Sequence, residues 1–458
     1  MGKTCFLGIL YKKSKVLTMK ENEIFDKTSR QILAPALNDF VLWILSEACR
    51  DGIHRVYFLA RDGYLMHRCA QVYVNKLQLP LECRYLYCSR YSLRLPLYYR
   101  DMETALNYIC RGGIEVTVEK ILKRSGIREA EKERTLKLLG WDEERDRPLP
   151  YSYLKKIRQK LKGCPFFLKA MEVNSRKKLL SLLGYLEQEG LLDETPMALA
   201  DSGWTGSMQK EINQALKILG KSGQLSGYYW GLYELPEGIK RENYHCYYFS
   251  PEKGLRKKVY FSNSLFESIF SAPHGMTTGY EKKNGRWEPV CGPGNEKKKR
   301  FLEELESILL EYAEKQAERI EDIEKLPLEK NRREISRQLR RIMGKPSFQE
   351  AEAFGNLPFS DDIFDTEGQM TAEKLTEEEL KANHAWNKIR RMSGFSKGYV
   401  KESPWYEGSA VLYGKSPGRD LLMYRIYKYL LYLRKKYSPS RKNIKEKVQD
   451  VLPERESL

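Results

Sequence analysis

Residues 54–65 read HRVYFLARDGYL, and this stretch decides the fold. His54–Ala60 is a short apolar run rich in β-forming residues, while Tyr64–Leu77 behind it reads as a helix, so Arg61-Asp62-Gly63 is the loop between them. Upstream, Ala34–Arg50 sets Leu37, Phe40, Val41, Ile44, Leu45 and Ala48 at helical spacing and closes on Asp51-Gly52. Downstream, Cys83–Cys88 (CRYLYC) is a second strand ending at Ser89-Arg90. A β-loop-α-β unit of this kind begins a parallel sheet covered by helices.

Further along, residues 101–193 are charged and helical, which predicts an inserted helical subdomain. The sheet resumes at Pro196–Ala200 (PMALA), whose end is the loop Asp201-Ser202-Gly203-Trp204-Thr205-Gly206-Ser207, and Met208–Leu219 is the helix that follows. Leu225–Tyr233 and Tyr244–Phe249 add two more strands. After Gly285 the character changes: Lys297–Lys325 reads as one uninterrupted charged helix, Glu329–Met343 as a second, basic one, and 344–380 as a polar linker punctuated by Pro and Gly. The expected architecture is therefore α/β. A Rossmann-like, mostly parallel sheet domain covers 30–290 with a helical insertion at 101–193, and a helical, basic C-terminal region covers 291–458.

At 458 residues and 41% hydrophobic, the chain is long enough for a substantial core, and length alone suggests roughly two to three domains. Its nine cysteines are scattered, with no CxxC and no Cys/His cluster at zinc spacing, so they read as free thiols in a reducing compartment. No stretch reads as the roughly 20 apolar residues of a membrane span, and Cys5–Leu10 is too brief for a secretory leader, which points to the cytoplasm. The net charge of +18 implies an anionic partner. Nucleic acid is disfavoured because the basic residues are interleaved with nearly as many acids and no binding motif stands out. Asp420–Tyr437 alternates apolar and aromatic residues with basic ones at helical spacing. Two readings stay open for it: peripheral contact with an anionic membrane, or packing on the protein itself.

The Asp201 segment carries the sharpest chemical signal. A carboxylate at a strand's end, then Gly203, Thr205, Gly206 and Ser207 before a helix, offers close backbone approach, helix N–H groups and hydroxyl donors, as a phosphate would need. The plain alternative is a capped tight turn, although Trp204 at its crest has no part in capping. Arg61, Asp62 and Gly63 lie at the same end of the expected sheet, where ligands of open α/β folds gather. Arg61 could clamp a phosphate, and Asp62 could be a nucleophile, a base or a Mg²⁺ ligand together with Asp201. Ser89 and Arg90 follow the second strand in the same layer. Glu267, on a short helical stretch ended by Pro273, and His274, in a loop rich in hydroxyls, form a third element. His274 is the best proton-transfer candidate among five histidines.

VYFLARDGYL (56–65), RYLYCSRYSLRL (84–95), ADSGWTGSMQ (200–209) and Glu267 with Ala272-Pro273-His274-Gly275 together resemble a domain of bacterial polysaccharide-biosynthesis clusters. That domain often lies C-terminal to a haloacid dehalogenase-type hydrolase and is itself termed haloacid dehalogenase-like. The resemblance covers about residues 30–290. It implies a phosphorylated sugar or nucleotide-sugar ligand, Gln209 and Glu267 within the site, and other glycan-synthesis enzymes as neighbours; Mg²⁺ is expected only from the placement of Asp62 and Asp201. One departure is clear. The phosphatases of that superfamily start from Asp-x-Asp, whereas Asp62 is followed by Gly63-Tyr64, and the later Lys and Asp-Asp motifs have no counterpart in order. A noncatalytic module binding a glycan or its enzymes is the competing expectation. A third is a phosphoribosyltransferase-like enzyme, to which Asp201–Ser207 is similar in kind.

Overall fold

A computed structural model describes residues 23–112, 116–359, 369–393 and 400–437. Its centre is a five-stranded sheet in the order β2-β1-β3-β4-β5, built from β1 (Arg55–Leu59), β2 (Glu82–Leu86), β3 (Met197–Trp204), β4 (Ser226–Leu232) and β5 (Tyr244–Phe249). Every neighbouring pair is parallel. Parallel strands buried on both faces read as unbroken apolar runs, and β1, RVYFL, is buried throughout.

Alternation along β1 sorts its side chains between two cores. Val56 and Phe58 join the helices Ala34–Arg50 and Gly63–Leu77 on one face. Tyr57 and Leu59 join Leu182, Tyr185 and Leu186 of the helix Pro165–Gln188, and Ile212 of the helix Ser207–Ile218, on the other. Gly63 starts its helix hard against β1: a Cβ there would meet the Phe58 carbonyl carbon at 2.9 Å. Only glycine lets this helix begin so close to the strand it follows.

Between β2 and β3 the chain forms the helices Met102–Ile109, Val118–Arg124, Glu129–Leu139, Tyr151–Lys162 and Pro165–Gln188. The first four, with the start of the fifth, enclose a separate apolar cluster that includes Leu106, Ile121, Leu136, Leu161 and Phe167. Beyond β5 the chain forms the antiparallel hairpin β6 (Thr277–Lys283) and β7 (Arg286–Cys291), whose first strand begins within the hydroxyl-rich loop expected after His274. Tyr280 of this hairpin stacks on Tyr185, with ring centroids 4.3 Å apart.

The charged helix expected to run from Lys297 to Lys325 spans Glu296–Ala317, and a 3₁₀ turn, Ile323–Lys325, follows before the helix Leu328–Gly344. The break has a local cause. Ala317 is the last inward-facing residue of the run, and Asp322 then caps the next turn, accepting from the Glu324 amide at 2.9 Å. Leu302, Leu305, Leu309, Ile335, Leu339 and Ile342 enter the same core as Val56 and Phe58, so one apolar interior runs from Ile32 to Met343 and on to Trp405. Within 344–380 lies the helix Phe348–Gly355, with Ala351 and Phe354 buried.

The last helix, Pro417–Tyr437, divides its faces. Tyr432 stacks on Tyr233 with centroids 5.1 Å apart, and the buried Lys428 donates to the Phe261 carbonyl at 2.8 Å. Leu422, Ile426, Tyr429 and Leu430 stay exposed. Among the described residues one helix, Glu23–Arg50, is long and apolar enough to cross a membrane, which the sequence reading did not expect. Because 83% of its most apolar window is buried inside the fold, core packing accounts for that composition.

Candidate functional site

β1 lies between β2, to which the chain first crosses, and β3, which the chain reaches from β2 on the other side of β1. The order reverses there, and such a reversal opens a crevice outside the carboxyl ends of the two strands. Arg61 and Asp62 leave β1 at that edge through a cis Ala60–Arg61 peptide. Asp201 and Ser202 are the neighbouring residues of β3.

The Asp201 segment is less of a loop than its composition suggests. Asp201, Gly203 and Trp204 pair with Tyr229, Gly231 and Leu232 of β4, so the strand persists to Trp204 and only Thr205-Gly206 turn the chain. Gly203 makes this possible. Its φ is +105°, and a Cβ there would lie 2.7 Å from the Gly231 carbonyl oxygen. Trp204 takes φ +67°, a left-handed conformation costing a side chain roughly 1–2 kcal/mol. It is held by its indole N–H, which donates to Glu267 Oε1 at 2.5 Å, and by rings packed around it: Phe261, Phe266 and Phe249. At 4% exposure the indole is a core group.

Two carboxylates meet at the strand ends. The Ser202 hydroxyl donates to Asp62 Oδ2. Burial raises the Asp62 carboxyl above the usual range, opposed by the Ser202 hydrogen bond and by the charges of Arg61, Lys298 and Arg90. Burial, then the Asp62 charge, pushes Asp201 up to about 8, with Glu267 adding to the rise and Arg90 opposing it. Asp201 is buried, whereas Asp62 and Lys298 keep some surface toward solvent; for both of these the surrounding protein is still the largest influence. Lys298 is lowered to about 7 by burial and by Arg61, against the pull of Asp62 and Glu267. Its ammonium lies 3.4 Å from the Glu267 carbonyl oxygen. Arg61, Lys298 and Arg90 thus all act on Asp62, and Arg90 and Asp62 act on Asp201 at this edge.

His274 stands beside them. Its Nδ1 faces the Gly275 carbonyl at 2.8 Å and its Nε2 faces the Tyr85 hydroxyl at 2.8 Å. A carbonyl can only accept, so Nδ1 carries the proton and Nε2 accepts from Tyr85. Burial, and then Arg61, lower the imidazole, while burial holds the Tyr85 phenol well above its ordinary value. His274 is therefore neutral at pH 7, on the far side of a hydroxyl that keeps its proton.

The other sequence candidates are held by the protein. Ser89 caps the short helix Arg90–Arg94, accepting from the Ser92 amide at 3.0 Å and donating to the Thr277 carbonyl at 2.6 Å. Gln209 is fully buried, donates to the Leu225 and Asn243 carbonyls and accepts from the Tyr229 hydroxyl. Thr205 Oγ1 donates to Ser207 Oγ at 3.3 Å, and Gly206 (φ +59°) precedes the helix that Ser207 opens.

Lys298 is the residue sequence reasoning missed. It hides in Lys297-Lys298-Lys299, which reads as a solvated run. The signal lay in phase: residues 298, 302, 305 and 309 share one helix face, and Leu302, Leu305 and Leu309 are buried. Asn295 caps that helix by accepting from the Lys298 amide at 3.0 Å, which fixes the face inward.

The two perturbed groups act on stability in opposite directions. Folded Asp201 keeps its proton to about pH 8, but unfolded it releases it near 3.8, so its contribution is whole below about pH 4 and lost as pH rises through 8. Lys298, at about 7 folded and 10.5 unfolded, contributes fully above 10.5 and loses that contribution as pH falls through 7. Urea midpoints measured from pH 5 to 9 are expected to show Asp201→Asn gaining on the unaltered chain as pH rises. Parallel profiles would show that Asp201 is not desolvated.

Among the described residues, no three His, Cys, Asp or Glu side chains stand together as a metal cluster. Searches against known proteins returned no matching family model and no curated protein similar to the chain, so the geometry of this crevice carries the functional reading.

Proposed function

We propose that the chain is an enzyme with a Rossmann-like, haloacid dehalogenase-like fold. It acts on a phosphorylated sugar or nucleotide sugar in bacterial surface-polysaccharide synthesis, by phosphoryl or glycosyl transfer or hydrolysis. The observation that carries this reading is the meeting of Arg61, Arg90 and Lys298 with the Asp62–Asp201 pair where the strand order reverses. Cations placed about buried carboxyl groups suit a phosphoryl ligand, whose charge they neutralise as it shifts during transfer.

Two carboxyl groups whose environments differ divide the work of acid and base. Asp201, held up to about 8, keeps a proton at neutral pH and can deliver it to a leaving oxygen. Asp62 has the Ser202 donor and three cations on its side, so it is the member that ionises first and serves as nucleophile or base. His274 acts on this site by orienting the Tyr85 hydroxyl, which donates to its Nε2 at 2.8 Å. Mg²⁺ would be held by Asp62 with phosphate oxygens and water and would polarise the phosphoryl group; Asp201 could join it only when ionised, above about pH 8. With such a substrate the protein would work in the cytoplasm, beside other glycan-synthesis enzymes.

The noncatalytic alternative draws on the exposed face of Leu422, Ile426, Tyr429 and Leu430, which suits a docking partner or an anionic membrane surface. Incubating the purified chain with a panel of sugar phosphates and nucleotide sugars, with and without Mg²⁺, separates the two readings. Turnover of one class supports the enzyme. Binding without turnover across the panel would favour the module.

A further inference from the structure

Away from the Asp62–Asp201 crevice, the helices Leu255–Tyr260 and Leu328–Gly344 border an open surface cavity of about 480 Å³ lined by Arg256, Lys257, Arg332, Arg333, Arg340 and Glu329, with Ser336. Five cations face a single carboxylate. Elsewhere on the same helix, Arg337 and Arg341 pair with Glu334 and Glu350, each at 2.6 Å. By contrast, none of the five lining cations has an ion-pair partner among the described residues. The carboxylate influencing Arg332, Asp39, is already engaged: it accepts from the Tyr247 hydroxyl at 2.6 Å and from Asn331 at 3.0 Å.

The cations are nonetheless held in place. The Arg332 guanidinium lies 4.5 Å over the Tyr247 ring, and the Lys257 ammonium 4.5 Å over the Tyr248 ring. Arg340 is pinned through its Nε, which donates to the Ser336 carbonyl at 3.1 Å. Arg332 Nε is buried with no hydrogen-bond partner. Burial, then the charges of Arg332 and Arg340, lower Lys257 to about 8. Holding like charges together costs free energy that a bound anion would return.

We infer that this cavity is a second binding site, specific for a phosphate-bearing anion: a phosphorylated small molecule or the phosphate headgroup of a lipid. Guanidinium groups converging from two helices suit the several oxygens of a phosphate better than one planar carboxylate. The volume is that of a small-molecule pocket. An adjoining cavity of about 620 Å³, which shares Glu329, Arg332 and Arg333 and reaches Trp43, leaves room for the rest of the ligand. The site shares no lining residue with the Asp62–Asp201 crevice, and the inference does not depend on the function proposed for that crevice.

The test is calorimetric titration of the full chain with inorganic pyrophosphate, together with flotation on phosphatidylglycerol and phosphatidylcholine vesicles. Lys257→Gln/Arg340→Gln is expected to lose at least about tenfold in pyrophosphate affinity, and its ligand-free melting temperature should hold or rise because repulsion is relieved. The exposed pair Arg256→Gln/Arg333→Gln, which cannot threaten folding, should lose several-fold. Arg337→Gln, a paired arginine on the same helix, and Arg61→Gln, from the other crevice, should leave this site's affinity unchanged. Flotation on phosphatidylglycerol alone, abolished by the variants, identifies a lipid headgroup; pyrophosphate binding without flotation identifies a soluble ligand. Affinity unaltered in both double variants overturns the inference, as does an unaltered chain that binds neither pyrophosphate nor anionic vesicles.

Discussion

Asp62→Asn is expected to lower turnover of the phosphorylated substrate by about 10²–10⁴-fold, the usual contribution of a group that moves a proton or attacks in the transition state. Folding should barely change. Burial already penalises the charge at this position, and the Ser202 hydroxyl can donate to an amide oxygen as it does to Asp62. Asp201→Asn should slow turnover as well, but with a different signature. If Asp201 delivers a proton, kcat of the unaltered protein falls as pH rises past about 8, and the variant loses that alkaline limb. Rates taken from pH 5 to 9 on both variants give the result. Full activity in both would remove the two carboxyls from the chemistry.

Trp204→Ala should be the most damaging single truncation near the site, at about 3–5 kcal/mol in urea denaturation. The indole is buried among Phe249, Phe261 and Phe266, and its loss also frees Glu267 from the N–H it accepts. Alanine gains nothing in return, because φ +67° strains any residue with a Cβ. Trp204→Phe keeps most of the packing and should cost clearly less. Equal stability of Trp204→Ala and the unaltered chain would mean that the ring is not part of the core.

Much of the sheet is legible because each strand is a run of residues that only burial on both faces can use. HRVYFLA, CRYLYC and LSGYYWGLY lie on β1, β2 and β4, and the helix Ala34–Arg50 falls where its apolar spacing puts it. β3 is longer than it reads. Asp201, Ser202 and Gly203 are poor strand formers, and it is the pairing of Gly203 with Gly231 that carries the strand on to Trp204. The β6–β7 hairpin had a signal in Asn284-Gly285, where both residues take positive φ as a tight hairpin turn requires. That signal is masked by the charged residues around it.

The site was legible one strand end at a time. Arg61-Asp62 and Asp201-Ser202 could be singled out by their position after apolar runs. What no local pattern states is that Trp204 points into the core, or that Gln209 spends its amide on Leu225 and Asn243. Those outcomes depend on residues far away in the chain. Lys298 lies between the two cases, since helical phase marks it as inward but only the fold brings it to Asp62.

On the proposed function the β1/β3 crevice holds a phosphate. A crystal structure of the Asp62→Asn chain with inorganic phosphate tests it most directly. The expected result is a phosphate within hydrogen-bonding reach of at least two of Arg61, Arg90 and Lys298, beside Ser202. Phosphate found only in the Arg332 cavity, with the crevice empty at saturating ligand, would contradict it.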